Sequence, residues 1–260
     1  MSRLGHFVWY DHWTNDLKAA EAFYTNAIGW GTQQFGSGPE PYVMWVAGDR
    51  PMGGFGKVPP APDGSQGHPL WAGFIAVDDA DATATRARQL GGEIVTPGTD
   101  IPGVGRFAVI RDPQGALVAV LSSSNPDPGE PPDLMAPQSV CWHELHTTDQ
   151  EAAGHFYSEL FGWQRTETLD MGADGPYVMY RHPEAPEGRS FGAMFEGATR
   201  KGMPAHWLYY FNVDAIEPAL ARIRAGGGRV LEGPMEVPGG GRIAPCLDPQ
   251  GAAFAVFSLK

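Results

Sequence analysis

The chain has 260 residues and a formal net charge of −12, with 18 Lys and Arg against 30 Asp and Glu. A chain this acidic repels phosphate backbones and anionic lipid headgroups, so we expect neither nucleic acid nor a membrane as its partner. The 42% hydrophobic content is that of a globular protein. The 35 Gly and 24 Pro favour many short strands over a few long helices.

The compartment is predicted from the cysteines and from the absence of an apolar leader. Cys141 and Cys246 have no metal-binding spacing, and two cysteines are too few for a disulfide scaffold, so we expect reduced core thiols. The N-terminus lacks the apolar core of a signal peptide, and no stretch reaches about 18 apolar residues. We therefore expect a cytoplasmic protein.

Strands and helices alternate along the first half of the chain. Asp16 is the predicted N-cap of an amphipathic helix over residues 17–27, and a second helix begins near Asp79 or Asp81 and ends before Gly91. Alternating apolar residues and turn signals predict the strands between them. In chain order, these strands cover residues 7–13, 42–47, 52–57, 71–77, 106–111 and 117–122.

The second half of the chain repeats the first, since residues 7–122 recur in order as residues 140–258. Such a repeat indicates two halves with the same fold. The matched segments are Trp9 with Trp142, Phe23-Tyr24 with Phe156-Tyr157, Gly29-Trp30 with Gly162-Trp163, Tyr42-Val43-Met44 with Tyr177-Val178-Met179, and Asp112-Pro113-Gln114-Gly115-Ala116 with Asp248-Pro249-Gln250-Gly251-Ala252.

A segment rich in Ser, Pro and Asp separates the two copies and is typical of an extended linker. We therefore predict a first domain over residues 1–122, a linker over residues 123–139 and a second domain over residues 140–260. Each copy contains two βαβββ modules, so the chain contains four. This order of elements predicts the α+β class.

The four βαβββ modules, the Phe-Tyr pair of the first helix, the Gly-Trp pair after it and the Asp-Pro-Gln-Gly-Ala turn resemble the vicinal-oxygen-chelate superfamily. That superfamily contains glyoxalases, bleomycin resistance proteins and extradiol dioxygenases. The chain looks most like its tandem, glyoxalase-like members of actinomycete type. The resemblance covers nearly the whole chain outside the linker. It implies that each half is a curved mixed β-sheet cup with flanking helices, and that the cup holds a small molecule.

The resemblance also indicates where the metal ligands of metal-using members would fall. A divalent ion needs three or more nitrogen, oxygen or sulfur donors at about 2 Å, which Trp, Leu and Ala side chains cannot supply. We therefore expect no metal and no other cofactor. The residues at these positions are Trp9 and Trp142, Trp71-Ala72 and Trp207-Leu208, and Ala119 and Ala255.

Glu144 and His146 are the predicted catalytic residues. Side chains alternate along a strand, so Trp142, Glu144 and His146 share one face, and His143 projects to the other. A carboxylate in an aromatic setting has a raised proton affinity, and an imidazole beside it carries a second proton near neutral pH. One alternative is a structural polar pair that is hydrogen-bonded to the backbone at a subunit or repeat seam. Another is a displaced metal site, which would need a third ligand such as His206 or Glu196.

The predicted ligand-binding residues are aromatic, acidic and basic. The acidic one, Asp11, has no His partner on its face of the strand, so the alternative for it is a structural role. Tryptophans favour a planar or hydrophobic ligand by stacking, unless they simply fill the cup. An arginine after a Gly-rich turn can hold a carboxylate or phenolate, unless it pairs with Asp100 or Glu236 of its own loop. His68, His155 and His182 are predicted surface or loop residues. The full set is Trp9, Asp11, Trp13, Trp71, Trp142, Trp207, Arg106 and Arg242.

Three functions remain open from the sequence. The first is a metal-independent lyase or isomerase that acts on a small aromatic or polyketide-like metabolite through Glu144 and His146. The second is a drug- or metabolite-binding protein of the resistance type, without catalysis. The third is a metal-dependent glyoxalase or dioxygenase with displaced ligands. A small-molecule partner is common to all three, and both a monomer and a homodimer fit the tandem repeat.

Overall fold

The computed structural model describes residues 3–36, 42–58, 67–125, 133–198 and 202–260, and their strands form two mixed β-sheets. The fold is therefore α+β, as the sequence predicts. Residues 126–132 of the predicted linker lie outside the described residues. No helix in these ranges is long and apolar enough to cross a membrane.

The first sheet has eight strands, and the elements of this half alternate as two βαβββ modules. The strand order across the sheet is 2-3-4-1-5-8-7-6 in chain-order numbers. In chain order the elements are β1 (Phe7–Thr14), α1 (Leu17–Ala27), β2 (Gly31–Phe35), β3 (Tyr42–Ala47), β4 (Arg50–Lys57), β5 (Leu70–Ala76), α2 (Ala80–Gln89), β6 (Glu93–Ile101), β7 (Gly105–Arg111) and β8 (Leu117–Ser123).

The second sheet repeats this plan with nine strands. The order across the sheet is 10-11-12-9-13-17-16-14, with strand 15 paired to strand 16. In chain order the elements are β9 (Val140–His146), α3 (Gln150–Phe161), β10 (Gln164–Asp170), β11 (Pro176–Arg181), β12 (Gly192–Phe195), β13 (His206–Asn212), α4 (Ile216–Ala225), β14 (Arg229–Val230), β15 (Met235–Glu236), β16 (Arg242–Leu247) and β17 (Ala253–Ser258).

The predicted helices and their caps are confirmed. The side chain of Asp16 accepts a hydrogen bond from the Ala19 amide at 3.0 Å, and Asp79 accepts one from the Ala82 amide at 2.9 Å. Asp79, and not Asp81, is therefore the cap of α2. A side-chain oxygen at the N-cap satisfies an amide that has no partner within the helix, which fixes the start of the helix.

Two strands of the first half have no clear signal in the sequence. They are β2 and β6, and they occupy the two edges of the first sheet. An edge strand buries little surface, so its sequence lacks the apolar alternation that predicts inner strands. β2 carries mostly exposed polar residues, and β6 contains Pro97, which only an edge accepts without loss of a ladder hydrogen bond.

The chain forms two compact units. Unit 1 comprises Met1–Val8, Gly73–Pro132 and His143–Trp207, and unit 2 comprises Trp9–Ala72, Asp133–Trp142 and Leu208–Lys260. Each unit thus combines segments from both copies of the repeat. The division into domains at residues 122 and 140 stays a prediction.

In unit 1 a buried aspartate joins a turn to a helix. Asp112 Oδ1 accepts hydrogen bonds from the backbone amides of Gln114 and Ala116 at 3.0 and 2.8 Å. Its Oδ2 accepts one from the Tyr157 hydroxyl at 3.1 Å, and that hydroxyl oxygen accepts one from Trp207 Nε1 at 3.0 Å. Burial raises the pKa of Asp112, although these hydrogen bonds oppose the shift.

Unit 2 contains the matching network with one addition, since His12 Nε2 lies 3.0 Å from Asp248 Oδ2. Asp248 Oδ1 accepts from the amides of Gln250 and Ala252 at 2.8 and 2.9 Å, and Oδ2 accepts from the Tyr24 hydroxyl at 3.2 Å. Trp71 Nε1 donates to the Tyr24 hydroxyl at 2.8 Å. The repeated Asp-Pro turn and the repeated Phe-Tyr pair are therefore two ends of one buried contact.

We predict that Tyr157→Phe lowers the free energy of unfolding by about 1–3 kcal/mol, since it leaves the Trp207 N–H and one Asp112 oxygen without their partner. Tyr24→Phe in unit 2 leaves the Trp71 N–H without its partner, but Asp248 Oδ2 keeps His12 Nε2 at 3.0 Å, so the cost should lie at the lower end of this range. Urea denaturation of each variant measures the change. A loss below about 0.5 kcal/mol in both variants would contradict the role of these networks, because it is the size of an ordinary surface substitution.

Candidate functional site

Glu144 and His146 face the same side of β9 and form a buried pair. His146 Nε2 lies 2.8 Å from Glu144 Oε1, and the two side chains are 6% and 9% exposed. The prediction that the two residues share one face of the strand is confirmed. When Glu144 is ionised its oxygens can only accept, so Nε2 carries the hydrogen of this bond.

Tyr177 is a second hydrogen-bond donor to the Glu144 carboxylate. Its hydroxyl donates to Glu144 Oε2 at 2.8 Å, so both carboxylate oxygens accept a hydrogen bond from a side chain that can itself exchange a proton. Phe195 lies opposite His146 on the parallel neighbour β12. Its ring centroid is 4.6 Å from that of His146 and 5.6 Å from that of Tyr177, which makes the surroundings of the carboxylate aromatic.

The second nitrogen of His146 lies in a tight, apolar setting. The ring stacks on His206 at 4.6 Å, and His206 directs its own Nδ1 to the carbonyl of Pro204 at 2.9 Å. Nδ1 of His146 is buried and has no hydrogen-bond partner in the described ranges. A Cβ added at Gly197 would lie 2.7 Å from this nitrogen. The His146 ring can therefore occupy this position only because residue 197 has no side chain.

Unit 2 contains a counterpart built on Asp11, which matches Glu144 in the repeat. Trp9 Nε1 donates to Asp11 Oδ1 at 3.0 Å, and the Tyr42 hydroxyl donates to the same oxygen. Trp13 and the backbone of Gly54 add further hydrogen bonds. Burial raises the pKa of Asp11 to about 6, and these four donors oppose that shift.

Glycines in β4 make room for this arrangement. Gly54 pairs with Asp11 and Gly56 pairs with Trp13 across the two parallel strands. A Cβ at Gly54 would lie 2.1 Å from the Tyr42 hydroxyl oxygen, and a Cβ at Gly56 would lie 2.2 Å from Trp13 Cδ1. The indole and the phenol therefore occupy space that side chains of β4 would otherwise take.

The remaining predicted tryptophans pack within the units. Trp71 and Trp207 are 3% and 5% exposed, and each gives its indole N–H to the helix tyrosine described above. Trp142 is half-buried against a small cluster that includes Cys141 and Leu208. Because Trp71 and Trp207 use their polar atoms in the core, we leave both out of the proposed site.

The two predicted ligand-binding arginines are engaged in ion pairs. Arg106 Nη1 lies 2.7 Å from Asp100 Oδ1, which confirms the pairing within its own loop, and Arg106 Nε lies 2.6 Å from Asp81 Oδ2. Arg242 Nη1 lies 3.4 Å from Glu217 Oε1, and not against the Glu236 that the sequence suggests. Exposed pairs of this kind contribute about 0–1 kcal/mol to stability.

His182 lies in the loop after β11, as one of the two predicted alternatives has it, but it is buried and not on the surface. Its ring is 6% exposed and stacks on His6 at 3.5 Å and on Phe191 at 4.2 Å. Burial lowers the pKa of His182, and it lowers the pKa of His6 and of His143 to about 4. A loop histidine gives no sequence signal for such a stack, because its ring neighbours come from distant segments.

The residues at the family's ligand positions do not fit a metal ion. The Trp9, Trp71 and Trp207 indoles are hydrogen-bond donors only, and Ala119 and Ala255 are buried methyl groups. Within the described ranges no group of three or more His, Cys, Asp or Glu side chains is arranged to hold a metal. These residues therefore do not supply the ligands that a divalent ion needs.

Tyr177 is a site residue that the sequence reasoning missed, and Tyr42 is its counterpart in unit 2. Both belong to the repeated Tyr-Val-Met triplet, so the repeat itself carried the signal. The two tyrosines lie on β3 and β11, more than thirty residues from the carboxylates that they contact. Only the pairing of the strands shows that each phenol reaches a carboxylate.

The family of the chain follows from comparison with known proteins. The model of the Glyoxalase/Bleomycin resistance protein/Dioxygenase superfamily matches residues 3–120 and again residues 141–256. The two matches correspond to the two sheets. The chain belongs to this superfamily and carries its fold twice.

Two relatives match almost the whole chain. The glyoxylase-like protein CFP32 of Mycobacterium tuberculosis is 34% identical over 96% of this chain and 93% of its own length. The anthracycline biosynthesis protein DauV of Streptomyces sp. strain C5 is 31% identical over 97% of this chain and 92% of its own length. Among solved structures, the Mn(II)-bound glyoxalase from Novosphingobium aromaticivorans covers 100% of this chain and 83% of its own, with a TM-score of 0.62 and 15% identity.

We predict that the Asp11 carboxylate makes stability fall as pH rises. Because its folded pKa is about 6 and its ordinary value is 3.8, the folded state binds more protons than the unfolded state between these values. Stability from this group is therefore fully present below pH 3.8 and is lost by about pH 6. The loss is on the order of 3 kcal/mol, since each pKa unit is worth about 1.4 kcal/mol.

The measurement is urea denaturation of the protein and of Asp11→Asn at pH 4 and pH 8. Asparagine also changes the hydrogen bonds of Trp9 and Tyr42, but this contribution to the free energy of unfolding does not depend on pH. The advantage of the unchanged protein over the variant should shrink on going to pH 8. If the two proteins differ in free energy of unfolding by the same amount at both pH values, the pKa of Asp11 is not raised.

Proposed function

We propose that the chain is a metal-independent enzyme of isomerase or lyase type that moves a proton on a small aromatic metabolite. The observation that carries the proposal is the buried Glu144 carboxylate, held between His146 Nε2 and the Tyr177 hydroxyl at 2.8 Å each. A carboxylate bonded to two proton carriers, one of them half-buried, suits general acid–base chemistry. Asp248 also lies between an imidazole and a phenol, those of His12 and Tyr24, but all three of these side chains are fully buried.

Glu144 is the proton acceptor in this scheme. A substrate in its enol or phenol form gives up a proton, and the electron pair of the broken bond stays on the substrate as an enolate or phenolate. Glu144 becomes a neutral acid and can return the proton to a carbon of the substrate, which completes a keto–enol isomerisation. His146 donates to Glu144 throughout and holds the carboxylate in place.

The substrate class is inferred from the aromatic surroundings of the site and from the relatives. The Phe195 and Tyr177 rings lie 5.6 Å apart beside Glu144, and aromatic surroundings favour planar ligands. The relative DauV is named an anthracycline biosynthesis protein, and anthracyclines are polycyclic aromatic compounds. Both observations support an aromatic polyketide-like substrate.

The experiment measures proton exchange into a defined probe. We use 1,3-dihydroxynaphthalene, a two-ring phenol that exchanges ring hydrogen for deuterium through its keto tautomer, and follow deuterium uptake from D₂O by mass spectrometry. The protein should accelerate exchange, and Glu144→Gln and His146→Ala should each reduce that acceleration by about 100-fold, the usual contribution of a general acid–base group.

The control is Tyr42→Phe, which removes the matching phenol in unit 2 and lies outside the proposed catalytic residues. It should exchange the probe as fast as the unchanged protein. Stoichiometric binding of the probe without accelerated exchange would reject the enzyme and favour the binding protein instead. Exchange that survives Glu144→Gln would reject the residue assignment.

A further inference from the structure

We propose that Tyr177 is the residue that contacts the substrate, that it selects a phenolic or enolic hydroxyl group, and that it passes the proton of this hydroxyl to Glu144. The inference rests on the function proposed above and specifies its substrate class. It also adds a catalytic residue on β11, far in sequence from the predicted pair on β9.

The burial of the three side chains points to Tyr177 as the point of contact. The Glu144 and His146 side chains are 9% and 6% exposed, so little of either can meet a ligand directly. Tyr177 is only half-buried, and its hydroxyl is already bonded to Glu144. A proton that travels between a ligand and the buried carboxylate therefore has its shortest path through the phenol.

The direction of the Tyr177 hydrogen bond determines what the ligand must supply. A phenol has one hydrogen, and Tyr177 gives it to Glu144 Oε2. Towards a ligand the same oxygen can act only as an acceptor. The ligand must therefore bring a donor, which a hydroxyl provides and an ether or an isolated ketone does not.

The aromatic ring of Phe195 narrows the class of ligand further. The Phe195 ring lies 5.6 Å from the Tyr177 ring and is itself half-buried. A planar ring that carries the hydroxyl can stack there while its oxygen reaches Tyr177. A phenol or the enol of an aromatic ketone meets both requirements, whereas an aliphatic alcohol meets only the second.

The proton transfer balances without any further reagent. The ligand O–H bond breaks, its electron pair stays on the ligand oxygen, and the proton moves to the oxygen of Tyr177. In the same step the original Tyr177 proton moves to Glu144 Oε2. Tyr177 ends as it began, Glu144 becomes neutral, and the ligand becomes a phenolate or enolate whose ring carbon can accept a proton.

Unit 2 offers a matched comparison for this role. Tyr42 donates to Asp11 as Tyr177 donates to Glu144. Trp13, which stands where His146 stands in unit 1, can donate a hydrogen bond but cannot exchange a proton. Tyr42→Phe therefore removes the same hydroxyl from the same kind of strand without touching the proposed relay.

The test uses 2-hydroxyanthraquinone, whose ionised form absorbs at longer wavelength, at a pH where the free dye is neutral. Binding to the protein should produce the phenolate band. Tyr177→Phe and Glu144→Gln should both abolish that band, and Tyr177→Phe should weaken binding about tenfold, the effect of losing roughly one hydrogen bond. Tyr42→Phe should behave as the unchanged protein, and 2-methoxyanthraquinone should bind about tenfold more weakly than the hydroxyl dye.

A phenolate band that persists in Tyr177→Phe overturns the relay, and equal affinity for the methoxy dye overturns the selection of a hydroxyl. Failure of the unchanged protein to bind the dye overturns the ligand class. Urea denaturation shows whether Tyr177→Phe remains folded, and Tyr177→His, which restores a proton carrier, should recover part of the band. Deuterium exchange that needs Glu144 but not Tyr177 would leave the proposed function standing and reject this inference alone.

Discussion

The buried carboxylate held by a tyrosine is the interaction on which the structure depends. Among the residues that the structure describes it occurs four times, twice in each unit: Asp112 with Tyr157 and Glu144 with Tyr177 in unit 1, and Asp248 with Tyr24 and Asp11 with Tyr42 in unit 2. A carboxylate removed from water needs hydrogen bonds to stay ionised, and an unpaired one costs several kcal/mol. Each of these four tyrosines therefore donates a hydrogen bond that a buried carboxylate needs.

The four pairs differ in what else binds the carboxylate, and this difference separates structure from chemistry. Asp112 and Asp248 accept from backbone amides of their own turns, which cannot move and do not titrate near neutral pH. Asp11 accepts from two indoles, a phenol and a backbone amide. Glu144 and Asp248 each have an imidazole neighbour, since His146 Nε2 lies 2.8 Å from Glu144 Oε1 and His12 Nε2 lies 3.0 Å from Asp248 Oδ2. The Asp248 and His12 side chains and Tyr24 are fully buried, whereas Glu144 is bonded to the half-buried Tyr177. Of these two carboxylates, Glu144 is therefore the one with a partly exposed proton carrier beside it.

Local rules in the sequence predicted much of the fold and part of the site. The caps at Asp16 and Asp79 and the inner strands follow from short-range patterns, and the alternation of side chains along β9 placed Glu144 beside His146. The edge strands β2 and β6 lacked such a pattern because they bury little. These features depend on a few consecutive residues, so a single sequence contains them.

Long-range pairing explains what the sequence did not predict. Trp71 and Trp207 sit at ligand positions of the family, but their indoles reach helix tyrosines that lie 47 and 50 residues away. Tyr177 reaches Glu144 from 33 residues away. No local pattern contains these contacts, although the repeat marked both tyrosines of the Tyr-Val-Met triplets.

The central claim is that Glu144 and His146 work as an acid–base pair without a metal. Elemental analysis of untagged protein tests it most directly, after incubation with Mn²⁺, Fe²⁺, Ni²⁺ and Zn²⁺ and removal of free ions. The account predicts that the protein retains far less than one ion per chain. Retention of one ion per chain, abolished by Glu144→Ala or by His146→Ala, would contradict it and would make this pair the core of a displaced metal site.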